Sequence, residues 1–338
     1  MGEPLTDPSV PPTLAVRIDH YSAVYVAARA ARQLAERSGL PGALPDQAAV
    51  IASELGSNLA KHATDGVLYL QPLPTGGGLE VLAADRGPGM PELERCLADG
   101  FSTTGTLGAG LGAVRRMASH FSIRSGAAEG TLACARLRAP DQLAACDEEV
   151  GAVCLPADGE QESGDACTVI DTDDCRTAMV VDGLGHGPAA AEAAQTALRA
   201  FRRVPDAPLP DVLTTVHRAL RRTRGAAVGL LRLHEGRGEY CGVGNIRVLT
   251  LGPEGVHHRL TGRPGIAGLQ LPAGGRVSDL ALDPVGVVVL HTDGIDHRWS
   301  QAPPRFTRRL PPPLLAASLA HGHRITRDDA TVLAATPR

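Results

Sequence analysis

Lysine is almost missing from this 338-residue chain: Lys61 is the only one, and arginine supplies the rest of the 33 basic positions. Together with the high alanine content, this reads as genome composition and carries no functional weight. A net charge of -4 gives no electrostatic reason to expect nucleic acid as a partner. The seven cysteines, at positions 96, 134, 146, 154, 167, 175 and 241, contain no C-x-x-C pair and no metal-cluster spacing. Reduced thiols are therefore expected rather than a disulfide framework. Met1-Gly-Glu-Pro lacks the basic and apolar regions of a secretory signal. No apolar run approaches the roughly 20 residues of a membrane span. These absences predict a cytoplasmic protein with neither nucleic acid nor membrane as a partner. No internal repeat relates the two halves.

The length suggests two domains, at roughly 150 residues each. Residues 1–12 are proline-rich and expected to be loose. Residues 13–138 alternate helices and strands, with helices predicted at 21–38, 46–62 and 110–119 and strands at 14–18, 67–70, 79–84, 121–125 and 130–137. Asp46 is the expected cap of the second helix. This pattern makes the first domain an α/β sandwich. The polar, acidic stretch 139–147 reads as a linker. From 148 to 338 short strands dominate, interrupted by helices at 188–203 and 209–223, which suggests an α-β-β-α sandwich.

In the second predicted helix, Ile51, Leu55 and Leu59 recur every four residues, and Glu54, Asn58 and His62 form an adjacent stripe. One stripe can pack while the other faces a ligand. An amide oxygen at Asn58 could complete the coordination of a Mg²⁺ held mainly by phosphates. Glu54, one turn earlier, could accept the proton of an attacking hydroxyl as general base. Asp85 ends an apolar strand and opens a Gly-Pro-Gly turn, exposing a carboxylate able to accept a hydrogen bond from an exocyclic amine such as that of adenine. Glycines at 105, 108, 110 and 112 let backbone N–H groups approach phosphate oxygens and then feed a helix N-terminus, which favours anions.

Glu54-x-x-x-Asn58, Asp85-x-Gly87-x-Gly89, Gly108-x-Gly110-x-Gly112 and Gly130-Thr131, in that order, resemble the GHKL (Bergerat-fold) ATPases. The segment from Asp99 to Leu111 looks most like the RsbT-like, anti-sigma-factor-type serine/threonine kinases. The resemblance covers about residues 12–138. It implies Mg²⁺-ATP bound by Asn58, Asp85, Gly87, Gly89, Gly105, Gly108, Gly110, Gly112 and Thr131, with Glu54 as catalytic base. It further implies phosphorylation of STAS-domain partner proteins.

The second half places aspartates at strand ends: Asp165 before one strand, Asp182-Gly183 and Asp293-Gly294 after two others, and Asp328-Asp329 before a fourth. Isolated Asp-Gly pairs are ordinary turn formers. Carboxylates projected toward one place would repel one another unless cations sat between them. Two divalent ions would relieve that repulsion and activate a water toward phosphorus.

Ser-Gly-Asp165, Asp182-Gly-Leu-Gly-His-Gly187, Gly-Asn245-Ile, His-Thr-Asp293-Gly and Arg-Asp328-Asp-Ala-Thr resemble the SpoIIE-type branch of the PPM (protein phosphatase 2C) serine/threonine phosphatases, with the glycine-rich segments nearest the RsbX-like members. Over about 148–336 this implies two Mn²⁺ or Mg²⁺ ions. Asp182, assigned as catalytic, would bind them with the carbonyl of Gly183, and Asp165, Asp293 and Asp328 would complete the set, Asp329 being the alternative to Asp328. The sequence departs from the family pattern in having Ala166 rather than an aromatic after Asp165. In addition, no arginine is obviously placed to bind the phosphate.

His321-x-His323 reads as a solvated helix end rather than a metal pair, and His186, His291 and His297 as residues supporting the aspartate loops. The whole chain is thus expected to be a two-domain regulatory switch. A kinase-like ATP domain would be fused to a metal-dependent phosphatase acting on STAS-domain phosphoproteins, anti-sigma-factor antagonists or stressosome-like, and homodimerisation is compatible with it. The alternative is a phosphatase regulated by an ATP-sensing or partner-binding domain that transfers no phosphate.

Overall fold

Helix α1 (Tyr21–Arg37) buries Val24, Ala27, Ala31, Leu34 and Ala35, one stripe at helical spacing, against α2 (Leu44–His62), which buries Ala48, Ile51, Leu55 and Leu59. The computed structural model describes residues 11–90, 93, 110–139, 148–172, 174–272, 275–283 and 285–337. Asp46 does not cap α2. The helix starts two residues earlier, with Ala43 at the cap position and Pro45 in the first turn. Asp46 instead lies in that first turn, where the helix dipole favours a carboxylate, and pairs with Arg32 at 3.2 Å.

These helices, with α3 (Gly110–Met117), cover one face of a five-stranded sheet. Its strands are β1 (Leu14–Arg17), β2 (Val67–Pro72), β3 (Gly78–Ala84), β4 (His120–Gly126) and β5 (Gly130–Arg138), in the order β1-β2-β3-β5-β4. Leu68, Leu70, Leu79, Val81, Ala133 and Ala135 point into that core. The other face is also buried, and there the polar side chains pair: Arg136 Nε donates to Glu80 at 2.6 Å and Gln71 Nε2 to Glu80 at 2.7 Å. Because both faces of β3 and β5 are buried, the charged residues they carry, Glu80 and Arg136, are paired with each other rather than solvated.

The second half forms two more five-stranded sheets. One has the order β13-β10-β9-β8-β7 and contains β7 (Asp165–Asp171), β8 (Arg176–Gly183), β9 (Ala226–His234), β10 (Arg237–Val243) and β13 (Ser278–Ala281). The other has the order β12-β11-β14-β15-β6 and contains β6 (Val150–Leu155), β11 (Arg247–Gly252), β12 (Gly255–Thr261), β14 (Val287–His291) and β15 (Ala330–Ala335). Helices α4 (Pro188–Arg202) and α5 (Leu209–Leu220) pack Ala197, Phe201, Val212 and Val216 on Met179, Val181, Val228 and Leu230 of the first of these sheets. Sequence reading missed β12 and β13, whose half-exposed, His-, Arg- and Ser-containing strands carry little apolar signal.

By Cα packing the described residues divide into one unit within 13–153 with 302–323 and another within 154–301 and 324–338. Helix α6 (Pro312–His323) therefore groups with the first unit, where it packs on β3 and β5. Its buried residues, Pro312 through Ala317 with Leu319 and Ala320, surround the helix, as expected for a helix covered on all sides. Gly151 of β6 has no room for a Cβ because the backbone of Pro312 and Pro313 fills that space. The expectation of a solvated end at His321 fails: its side chain is only 7% exposed, and burial pulls its pKa down to about 4.

Candidate active sites

In the first unit, Asp85 leaves the end of β3 and is buried. Its Oδ1 accepts hydrogen bonds from Gly87 N at 2.6 Å and Thr131 N at 3.3 Å. Burial raises the Asp85 pKa, and those two backbone N–H groups oppose the rise by favouring the carboxylate. Gly130 adopts φ 80°, and a Cβ there would collide with the Asp85 backbone, so the turn entering β5 fits directly against this loop. Ser125 Oγ accepts from Met90 N at 2.7 Å and lies 3.1 Å from Thr131 Oγ1, which ties the far end of the Asp85–Met90 loop to β4 and β5.

Beside Asp85 lies an open pocket. Leu55, Leu59, Ala83, Leu111, Ile123 and Ala133 give it apolar walls, and Asn58, His62, Asp85 and Thr131 supply the polar positions. Apolar walls with one carboxylate among a few polar groups suit a purine base. Asn58, Asp85, Gly89 and Thr131 therefore come together as expected. Gly87 sits in the Asp85 turn and donates to it. Gly110 opens α3 with φ 61°, and Gly112 is buried within that helix. Gly105 and Gly108 lie outside the described residues. Glu54 is half-buried one turn before Asn58 and is not part of the cavity wall.

In the second unit, antiparallel pairing sets Asp165, the first residue of β7, directly opposite Asp182 near the end of β8. Asp165 is buried, with Oδ2 accepting from Thr292 Oγ1 at 2.7 Å. Burial and then the neighbouring Asp182 charge push its pKa well up. The Asp182 pKa is pushed up to about 7 by burial, by Asp293 and, less strongly, by Asp328 and Asp329, against the hydrogen bond from Asn245. Asp328 is raised by burial and by Asp293. Asn245 Nδ2 donates to both Asp182 Oδ2, at 3.2 Å, and Asp293 Oδ2, at 2.8 Å.

Gly183 is buried, its N–H donating to Gly164 O at 2.9 Å. The Asp328–Asp329 pair divides its work. Asp329 is buried and both its oxygens are occupied, accepting from Ala157 N at 2.8 Å and Gly164 N at 2.9 Å. Asp328 is exposed on the side of Asp182 and Asp293.

Among the described residues no three His, Cys, Asp or Glu side chains close on one point tightly enough to cage an ion alone. The donor set nevertheless fits hard divalent cations. It is all oxygen, its carboxylates repel one another, and the Asn245 amide stands between two of them where positive charge is favoured. Such ions take few protein ligands and keep several waters. Sequence reading missed Asn245, Thr292 and the structural part of Asp329. The first two stood in the quoted Gly-Asn-Ile and His-Thr-Asp segments, but only the fold reveals what they touch.

A profile of the histidine kinase-like ATPase domain (HATPase_c_2) matches residues 19–137, and one of stage II sporulation protein E (SpoIIE) matches residues 172–338. The serine/threonine-protein kinase RsbT of Bacillus subtilis (strain 168) is 42% identical over 90 residues, 25% of this chain and 68% of that protein. This chain joins an RsbT-family ATPase domain to a SpoIIE phosphatase domain. The fusion is thus a PPM-type serine/threonine phosphatase carrying a kinase-like ATP-binding domain. A solved structure described as "The bacterial stressosome: a modular system that has been adapted to control secondary messenger signaling" is 30% identical with a TM-score of 0.51, covering 56% of this chain and 98% of that one. A structure of RsbX in complex with magnesium is 20% identical with a TM-score of 0.47, covering 55% of this chain and 94% of that one. Among the described residues no helix is long and apolar enough to cross a membrane.

Proposed function

We propose that the SpoIIE domain of this fusion removes phosphate from serine or threonine of a STAS-domain regulator, and that the RsbT-family domain binds Mg²⁺-ATP and phosphorylates such a protein. The observation that carries the phosphatase reading is the gathering of Asp182, Asp293 and Asp328 at neighbouring strand ends, with Asp182 pushed up to about 7 by burial and by those neighbours. Carboxylates so arranged have one evident use, which is to hold cations. When bound, two Mn²⁺ or Mg²⁺ ions would neutralise the phosphoryl charge and lower the pKa of an attacking water. Asp182, Asp293 and Asp328, with the Gly183 carbonyl, would hold them at the rim. Asp165, whose Oδ2 accepts from Thr292, would complete the set. Asp329 would fix the loops that carry Gly164 and Ala157.

In the first unit Asp85 would read the adenine amine with the oxygen that the backbone leaves unused. Asn58 and Thr131 would lie beside the phosphates, and Glu54 would take the proton of the partner hydroxyl. The RsbT relative and the stressosome-described neighbour support STAS-domain or stressosome-type partners in a partner-switching pathway. If both activities acted freely on one protein, they would only hydrolyse ATP, so an input must bias one of them.

Dephosphorylation of a phosphorylated STAS protein with Mn²⁺ tests the phosphatase half. Wild type should release phosphate and Asp182→Ala should not, and equal rates would refute the reading. A second reading has the ATPase domain sense nucleotide without transferring phosphate. Labelled ATP with the full chain and a STAS protein separates the two, since binding without labelled product supports the sensor.

A further inference from the structure

Asn245 enters the second site from a backbone that is pinned on both sides. Gly244 has φ 91°, and a Cβ there would collide with Ala227, the residue that pairs with Asp182 in the β8–β9 ladder. Gly244 N donates to Arg263 O at 2.8 Å. On the other side, Ile246 is buried, its carbonyl accepts from Tyr240 Oη at 3.0 Å, and its side chain fills the space beside Gly229. Between these two fixed residues the Asn245 side chain is exposed. It can therefore turn while its backbone stays in place.

The Asn245 Nδ2 donates to Asp182 Oδ2 at 3.2 Å and to Asp293 Oδ2 at 2.8 Å, and among the described residues neither carboxylate accepts any other hydrogen bond. Asp165 and Asp329 differ. Asp165 takes its donor from Thr292, and Asp329 from Ala157 N and Gly164 N, all within the buried part of the fold. The two bonds of Asn245 instead lie at the solvent-facing rim, where they can be exchanged without disturbing the core. A divalent cation held by Asp182 and Asp293 needs the same oxygen lone pairs. An amide nitrogen offers such an ion nothing in return, because hard cations take oxygen ligands and this nitrogen acts only as a donor.

We infer that the Asn245 amide is a placeholder for a cation: it bridges Asp182 and Asp293 through the oxygens that a divalent ion requires, and the ion binds by turning it out toward solvent. This rests on the phosphatase reading above, with Asp182 and Asp293 among the residues that hold the metal ions. Asn245 thereby sets how much Mn²⁺ or Mg²⁺ the phosphatase needs, because metal binding must break two charge-assisted hydrogen bonds. An amide that instead held the carboxylates ready for the ion would have the opposite effect, since removing it would weaken metal binding.

Calorimetric titration of Mn²⁺ into the nucleotide-free full chain, comparing wild type, Asn245→Ala and Asp182→Ala, reads that sign. Asn245→Ala should lower the Mn²⁺ Kd about fivefold, and the Mn²⁺ concentration for half-maximal turnover of p-nitrophenyl phosphate should fall in step. The side-chain amide NMR signal of Asn245, identified by its loss in Asn245→Ala, should move toward the position of a solvent-exposed asparagine as Mg²⁺ is added. A Kd that is unchanged or raised in Asn245→Ala, or an amide signal that Mg²⁺ leaves in place, would overturn the placeholder. Mn²⁺-dependent turnover that Asp182→Ala abolishes would in that case leave the phosphatase reading standing. A wild type that neither binds Mn²⁺ nor turns over substrate, or an Asp182→Ala variant that does both as wild type does, would remove that reading and this inference with it.

Discussion

Asn245 donates from its side-chain amide to Asp182 at 3.2 Å, and the same nitrogen reaches Asp293 at 2.8 Å. One neutral dipole thus separates two carboxylates that would otherwise face each other. Replacing it exposes that repulsion. Asn245→Ala is expected to destabilise the metal-free protein by about 1 kcal/mol, and the difference should shrink when Mn²⁺ is added, because the cations then do the same electrostatic work. Melting curves with and without Mn²⁺ check this, and an equal loss in both would show that the amide has only a packing role.

Asp328 and Asp329 are adjacent in sequence but should respond in opposite ways. Asp329→Ala leaves two buried backbone donors, Ala157 N and Gly164 N, without acceptors and should lower stability by about 2–3 kcal/mol. Asp328→Ala removes an exposed carboxylate and should leave unfolding nearly unchanged while phosphatase turnover falls by an order of magnitude or more. Denaturant midpoints alongside initial rates distinguish the two residues.

Gly130→Ala should weaken nucleotide binding although Gly130 has no side chain to meet the nucleotide. Its φ of 80° and the Asp85 backbone beside it leave no space for a methyl, so the Asp85 loop must shift. A loss of about tenfold or more in ATP affinity by calorimetry is the expected result. Asp85→Asn, which keeps the shape and removes the charge, should also weaken ATP and should alter the preference for adenine over guanine.

His321 gives the first unit an acid sensitivity. Burial holds its folded pKa at about 4, below the usual value near 6.5, and the nearby Arg86 and Arg17 reinforce that direction against Asp65. The Asp65 carboxylate is 3.9 Å from Nε2, too far to hydrogen-bond, so desolvation prevails. The unfolded chain therefore binds a proton that the folded chain refuses. Stability contributed by the neutral ring is complete above about pH 6.5 and falls as pH drops toward 4, approaching about 3 kcal/mol lost below that. Unfolding midpoints across this range should show the slope, and His321→Gln should flatten it.

Much of the fold was legible because its signals are local. The apolar stripe of α2, the glycine at the end of α1 and the apolar run of β14 each follow from neighbours in sequence. Asp85 and the aspartates at 165, 182, 293 and 328 were legible because carboxylates beside glycine at strand ends are a local pattern too. The cap at Asp46 went wrong because a proline in the first turn can start a helix without a side-chain cap. His321 went wrong because a helix terminus looks solvated until something packs on it.

By itself, the sequence determined the two domain classes and supplied the ordered residues proposed for the nucleotide and metal sites, since each depends on spacing along the chain. Tertiary structure alone decided which of Asp328 and Asp329 is buried, that Asn245 stands between Asp182 and Asp293, and that α6 groups with the first unit. These relationships join residues tens or hundreds of positions apart. Strand register and burial set them, and neither quantity is written in any single stretch of the chain.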